Sequence, residues 1–253
     1  MHSSATVFHR LHGLPRRSGR LRWCWAALLA ATPLLQAQPL DYAQQQDWPA
    51  ARGQAQSPID IATADARQAD PREPLALQFS RTRAPLTVVD NQHAIEVEAH
   101  GPEARIRGRH FRLAQFHFHA DSEHTLDGRH FPLEGHFAFK AADGRLAVIA
   151  VMYQPGQANA LAGRLLDALD DQRATPPLDI LGLLPRRRGY YHYLGSLTTP
   201  PLTENVEWYV LPQPVSLSAA QLARFRARHE NNRRAVQPMN DRPLLRASVP
   251  ASP

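Results

Sequence analysis

Apolar and polar residues alternate most strictly in two stretches near the middle of the chain. The first, Gln115 to His119, reads QFHFH; the second, Glu134 to Lys140, reads EGHFAFK. A β-strand has a side-chain period of two, so each stretch predicts a strand with two chemically different faces. The alternation continues back from His119. It predicts Phe111, Leu113, Gln115, His117 and His119 on one face, with Phe116 and Phe118 turned into a core. In the second stretch Glu134, His136 and Ala138 share one face, and Phe137 and Phe139 the other. The Asp127-Gly128 pair between them is a turn signal.

Shorter runs at 75–79 and 86–89, and the alternating 94–99, predict further strands. Residues 146–152, LAVIAVM, are apolar throughout and suit a strand covered on both faces. Strands are also predicted at 190–194 and 206–211, around the loop GSLTTPP. A helix is predicted over 159–172, with Asn159 as N-cap and Leu161, Leu165 and Leu169 on one stripe. Ser218 with Gln221 forms a capping box for a second helix, predicted to end near Asn231-Asn232. Residues 38–55, 62–74, 173–188 and the tail read as irregular. No repeat or interior linker interrupts what reads as one β-rich domain.

Composition changes this picture at the N-terminus. The formal charge of +6 over 253 residues suggests an acidic partner, but residues 1–37 hold five arginines and no acid. Without those five the charge is +1, which argues against nucleic-acid binding. A basic segment ending at Arg22, an apolar run from Trp23 to Leu35 and the small-residue site Leu35-Gln36-Ala37 have the layout of a signal peptide. The run is too short to span a bilayer. The expected organisation is therefore a signal peptide at 1–37 and one domain at 38–253. Localisation would be periplasmic or secreted, with no membrane attachment once the leader is removed. The single cysteine, Cys24, lies inside the leader, so the mature chain would have no disulfide and no thiolate chemistry.

The chemistry concentrates on the alternating strands. His117 and His119, two apart, place both imidazoles on one face with Cα atoms about 6.6 Å apart, close enough to meet one small ion. Such a pair by itself is commonly no more than two polar side chains. If the two stretches pair as antiparallel neighbours about 4.8 Å apart, His136 completes a three-histidine set. Three neutral imidazoles leave a fourth tetrahedral position open, the pattern of a catalytic zinc site.

The motifs QSPIDI, QFHFH followed by SEHTLDG, the E-x-H at Glu134 to His136, YLGSLTTPPLTENVEW and NNRRAVQPMNDR, in this order, resemble the α-class carbonic anhydrases, specifically exported bacterial members. The resemblance spans about residues 42–246. It implies a mainly β (α+β) single domain with a large, twisted, mostly antiparallel central sheet of about ten strands and a few peripheral helices. It implies Zn(2+) as cofactor, held by His117, His119 and His136, with carbon dioxide and bicarbonate as substrates. Zinc-bound hydroxide would attack carbon dioxide. Gln115, Glu134 and the backbone carbonyl of Asn232 match the groups that hold the three ligand rings by their other nitrogens. Thr198 and Glu123 match the hydrogen-bonded pair that orients the hydroxide. His93 matches the proton shuttle, and Asn91 and Thr199 match polar residues that hold the water chain. Ala138, Val148, Leu197, Val206 and Trp208 match the apolar wall for carbon dioxide, and Tyr193 and His124 a buried supporting pair. Esterase chemistry on small activated esters is a possible side activity, and a monomer or homodimer is expected. The rival reading is a non-catalytic binding module on the same fold. The sequence departs from the family in three places, one of them a shortened segment between Tyr42 and Gln56. Ala120-Asp121 replace a common Trp-Gly after the second ligand, and Leu202 stands where exported bacterial members usually carry a disulfide cysteine.

Overall fold

The computed structural model describes residues 40–49, 53–73, 76–99 and 101–248. The predicted leader lies outside the described residues, as does the first residue of the strand predicted at 75–79. The strands are β1 (Asp60–Ile61), β2 (Arg67–Gln68), β3 (Leu77–Phe79), β4 (Arg83–Ala84), β5 (Leu86–Asp90), β6 (Ile95–Ala99), β7 (Glu103–Ile106) and β8 (Arg109–His119). They continue with β9 (Thr125–Leu126), β10 (Leu133–Lys140), β11 (Leu146–Pro155), β12 (Leu178–Asp179), β13 (Tyr190–Ser196), β14 (Glu204–Leu217) and β15 (Leu245–Ala247). Two α-helices, α1 (Ala160–Asp170) and α2 (Ala219–Arg228), and two 3-10 turns at Tyr42–Asp47 and Ile180–Leu183 complete the described chain.

Among the described residues, eleven strands form one twisted mixed sheet, in the order β2-β15-β13-β14-β11-β10-β8-β6-β5, with β7 also paired to β8 and β3 to β7. Only β11–β14 and β15–β2 pair in parallel there; the other pairings are antiparallel. The long strands were legible as alternating or wholly apolar runs. β2, β12 and β15 were not, because each is two or three residues long and exists only through a distant partner, as when Leu245 of β15 pairs with Arg67 of β2.

The sheet separates two apolar clusters. On one side Phe116, Phe118, Phe137, Phe139, Ile149 and Val151 pack with the buried stripes of α1 and α2. On the other, Val148, Ala150, Met152, Val206, Trp208 and Val210 pack with Ile59, Ile61 and Tyr193. β11 contributes to both, which is why LAVIAVM shows no alternation. α1 starts where Asn159 Oδ1 accepts from the N–H groups of Leu161 and Ala162. α2 has the complete capping box of Ser218 and Gln221 but ends at Arg228, earlier than predicted. His229 leaves helical geometry, its Nε2 2.7 Å from Asp90 Oδ1, and Asn231 has a positive φ.

One face assignment is corrected. Leu113 and Phe111 do not share the face of His117; they belong to the helix-side core with Phe116 and Phe118. The register explains it: Gln115 pairs with Ala138, but the next residue of β10, Phe139, pairs with Leu113. Ala114 is the extra residue of a β-bulge, and one inserted residue moves every preceding side chain to the opposite face. The bulge keeps the start of β8 in the core while its end presents the histidines.

Candidate metal centre

His117 and His119 lie at the end of β8, and His136 pairs directly with His117 from β10. Ring centroids are 4.9 Å apart for His117 and His119, 5.3 Å for His117 and His136, and 4.5 Å for His119 and His136. One nitrogen from each lies within 4.8 Å of the others.

The opposite ring nitrogens are already engaged. His117 Nδ1 lies 2.9 Å from Gln115 Oε1, His119 Nδ1 2.6 Å from the Asn232 carbonyl, and His136 Nε2 2.9 Å from Glu134 Oε1. Each partner oxygen can only accept, so each engaged nitrogen carries the hydrogen. The remaining lone pairs are on Nε2, Nε2 and Nδ1. His119 Nε2 is buried without a hydrogen-bond partner. Three convergent lone pairs, one of them orphaned, fit a divalent metal with nitrogen preference such as zinc. Burial holds His117 well below the ordinary histidine range, reinforced by His119 and His136. His119 is lowered by burial too, against the pull of Glu123. Burial also lowers His136, but Glu134 and Glu123 outweigh it and the net direction is upward.

The supports form a continuous buried network. Glu134 Oε1 also meets His124 Nδ1 at 2.7 Å, and Oε2 accepts from the His124 N–H at 2.8 Å. The Tyr193 hydroxyl bridges His124 Nε2 at 2.7 Å and Ser57 Oγ at 2.9 Å. Burial pushes the Glu134 carboxyl up, yet the imidazoles of His124 and His136 hold it well below the carboxylate range. Gly195 lets the chain pass this cluster: a Cβ there would lie 2.1 Å from Ser57 Oγ. Asn232 is fixed by three bonds besides its carbonyl. Its amide donates to the carbonyls of His93 (2.8 Å) and Phe118 (3.1 Å), and its Oδ1 accepts from the Ala120 N–H (2.8 Å).

Glu123 is fully buried beside the triad, its oxygens 3.6 Å from His119 Nδ1 and 3.9 Å from His136 Nδ1. Its Oε1 accepts from the Arg234 N–H at 2.7 Å. Thr198 is buried, but the bond expected between it and Glu123 is not among the hydrogen bonds of the described residues, and Glu123 Oε2 has no partner. Val148, Val206 and Trp208 are buried in one apolar cluster, with Ala138 and Leu197 packed against it. Trp208 lies 4.9 Å from the His136 ring. Thr199 is partly exposed, and its carbonyl accepts from the Leu202 N–H. Asn91 spends its side chain locally, accepting from the N–H groups of His93 and Ala94 and donating to Glu96. His93 Nδ1 accepts from the Leu40 N–H at 3.0 Å.

Sequence reasoning missed Arg234, whose buried guanidinium donates to Gln56 Oε1 (2.9 Å) and the Ser57 carbonyl (2.7 Å). Its backbone N–H is what positions Glu123. The NNRRAVQP motif marked the segment but not which arginine turns inward. The departures at Ala120-Asp121 and at Leu202 are accommodated locally. Leu202 is buried with a positive φ, and Ala120 is buried while Asp121 forms an ion pair with Arg226.

A mixed β-sheet with three imidazoles converging from two adjacent strands defines a candidate three-histidine metal centre. The model of the eukaryotic-type carbonic anhydrase family matches residues 41–248. A carbonic anhydrase of Pectobacterium carotovorum is 42% identical over 200 residues, covering 76% of this chain and 80% of its own length. The α-carbonic anhydrase of Thermovibrio ammonificans, solved with the inhibitor sulfanilamide, has a TM-score of 0.70 at 38% identity, covering 76% of this chain and 87% of that one. Dioscorin, solved with ascorbate, has a TM-score of 0.72 at 25% identity, covering 79% of this chain and 88% of that one. The chain belongs to the α-carbonic anhydrase family, and with it to the enzymes of reversible carbon dioxide hydration (EC 4.2.1.1).

Proposed function

We propose that this chain hydrates carbon dioxide with zinc held by His117, His119 and His136. The observation that carries this is the division of labour within each ring: one nitrogen bonded outward to Gln115, Asn232 or Glu134, the other left facing its two counterparts. When bound, zinc supplies the acidification of water that makes a nucleophile available near neutral pH. The chain's own residues do the rest. Gln115, Glu134 and the Asn232 carbonyl set the tautomers and keep the rings basic. Glu123, fixed by the Arg234 N–H, is the acceptor toward which the Thr198 hydroxyl would donate. That leaves the Thr198 oxygen to accept from, and so orient, the attacking nucleophile. Val148, Val206 and Trp208, with Ala138 and Leu197, offer an apolar surface suited to a small substrate without charge. Thr199 and Asn91 border the polar side, and His93 carries the released proton to buffer.

Residues 1–37 are proposed as an export signal and 38–253 as the enzyme domain, acting in the periplasm or outside the cell. No helix of the described residues is long and apolar enough to cross a membrane. The test is stopped-flow acidification of carbon dioxide solution by the purified protein, together with its zinc content. Full activity after His117→Ala would remove the basis of the assignment. A metal-free, inert protein would favour the binding-module reading, for which the likeness to dioscorin gives a precedent of fold.

A further inference from the structure

The Leu40 N–H donates to His93 Nδ1 in a bond 3.0 Å long and partly buried, and no assigned role uses it. It joins the first described residue of the chain to a residue of the turn between β5 and β6. A neutral imidazole has one hydrogen and one lone pair on its ring nitrogens. Because Nδ1 accepts here, the hydrogen is on Nε2, and the only basic site of the ring is the one that Leu40 covers. A ring in this arrangement cannot take up a proton: protonation at Nδ1 would set two N–H groups against each other.

We propose that the backbone N–H of Leu40 is a gate on the proton shuttle, capping His93 Nδ1 so that the ring must leave Leu40 before it accepts a proton. The cycle balances. The uncapped ring gains a proton at Nδ1 and becomes imidazolium, with a hydrogen on each nitrogen. It then loses one of the two to buffer. Loss from Nδ1 restores the tautomer that Leu40 can cap again. Loss from Nε2 gives a ring that Leu40 cannot cap. The surroundings of His93 favour the neutral, capped ring. Burial lowers its proton affinity, and His229 on the C-cap of α2 lowers it further. His229 is itself bonded to Asp90, and the nearby Glu96 is engaged by Asn91. The Asn232 amide holds the His93 carbonyl, so opening is a movement of the ring or of Leu40 and not of the turn.

This inference rests on the shuttle reading of His93, and the experiment separates the two. Leu40→Pro removes the donor while the position remains filled. Leu40→Ala keeps the N–H and serves as control. The net worth of one hydrogen bond predicts that Leu40→Pro raises kcat by about 2- to 10-fold, with kcat/KM unchanged. Nitrogen-15 NMR of the His93 ring in the zinc-loaded protein gives a readout independent of turnover. The native protein and Leu40→Ala should show the Nε2–H tautomer, and Leu40→Pro a mixture that titrates at higher pH. An unchanged tautomer in Leu40→Pro, or a kcat that stays level or falls, overturns the gate. If His93→Ala leaves kcat unaltered, the shuttle reading itself fails, whatever the tautomer.

Discussion

The two faces of β8 and β10 belong to the same residues in alternation, yet they are built on opposite rules. On the helix side Phe116 stacks on Phe137 with centroids 4.8 Å apart, and Phe118 meets Phe225 of α2 at 4.6 Å. These contacts are chiefly a matter of shape and apolar volume, and an apolar side chain of similar volume costs little there. On the site side the ring nitrogens, the carboxylate of Glu134 and the amide of Asn232 have named partners, apart from the three lone pairs that face one another. A buried polar group without its partner costs more than a made bond contributes. The helix face should therefore govern stability, and the site face should govern chemistry.

Paired truncations test this separation most strongly. His117→Ala should abolish zinc binding and reduce carbon dioxide hydration to background, with the fold intact by circular dichroism. Phe137→Ala, its cross-strand neighbour's counterpart on the opposite face, should lower the unfolding free energy by about 3–5 kcal/mol while the folded fraction keeps its activity. Loss of activity per folded molecule in Phe137→Ala would show that the faces are not independent.

A smaller effect is expected one step out from the metal. Glu134→Gln removes the charge shared by His136 and His124, and should weaken zinc affinity by about 10- to 100-fold, measured by competition with a chelator. His93→Ala lies further still from the ligands. It should lower kcat by about tenfold or more with kcat/KM unchanged, and added imidazole should restore part of the loss. A matching fall in kcat/KM would place His93 in the hydration step instead.

The smallest expected effect is a pH dependence from His192, which stacks on Tyr209 and meets the Trp208 carbonyl at 2.9 Å. Burial holds its proton affinity below the ordinary value. The unfolded chain takes up a proton near pH 6.5 that the folded chain refuses, so stability is lost as pH falls through that value toward the lower folded pKa. Thermal unfolding between pH 7.5 and 5.5 should be less pH-dependent in His192→Phe than in the native chain.

The same contrast explains what the sequence made legible. The helix face and the ligand positions are period-two patterns, readable from Gln115 to His119 and from Glu134 to Lys140. Hydrophobic runs and caps were equally readable: Asn159, Ser218 and Gln221 cap as predicted. The bulge at Ala114 was not readable, because alternation looks unbroken through Phe111 and Leu113 and only the partner strand reveals the inserted residue. Arg234 and Leu40 were missed for a related reason. The bonds that fix Glu123 and cap His93 come from their backbone N–H groups, which every residue other than proline carries, so side-chain type gives no cue to them. The loop carrying Thr198 and the turn carrying His93 were placed by family likeness, not by periodicity.

Three imidazoles from two neighbouring strands are proposed to share one metal. Zinc-edge X-ray absorption on the purified protein, native and His117→Ala, tests it most directly. One zinc per chain with three imidazole nitrogens at about 2.0–2.1 Å is expected in the native protein. In the variant, zinc should be lost or left with two. Native-like zinc with three imidazoles in the variant, or no zinc in the native protein, would contradict it.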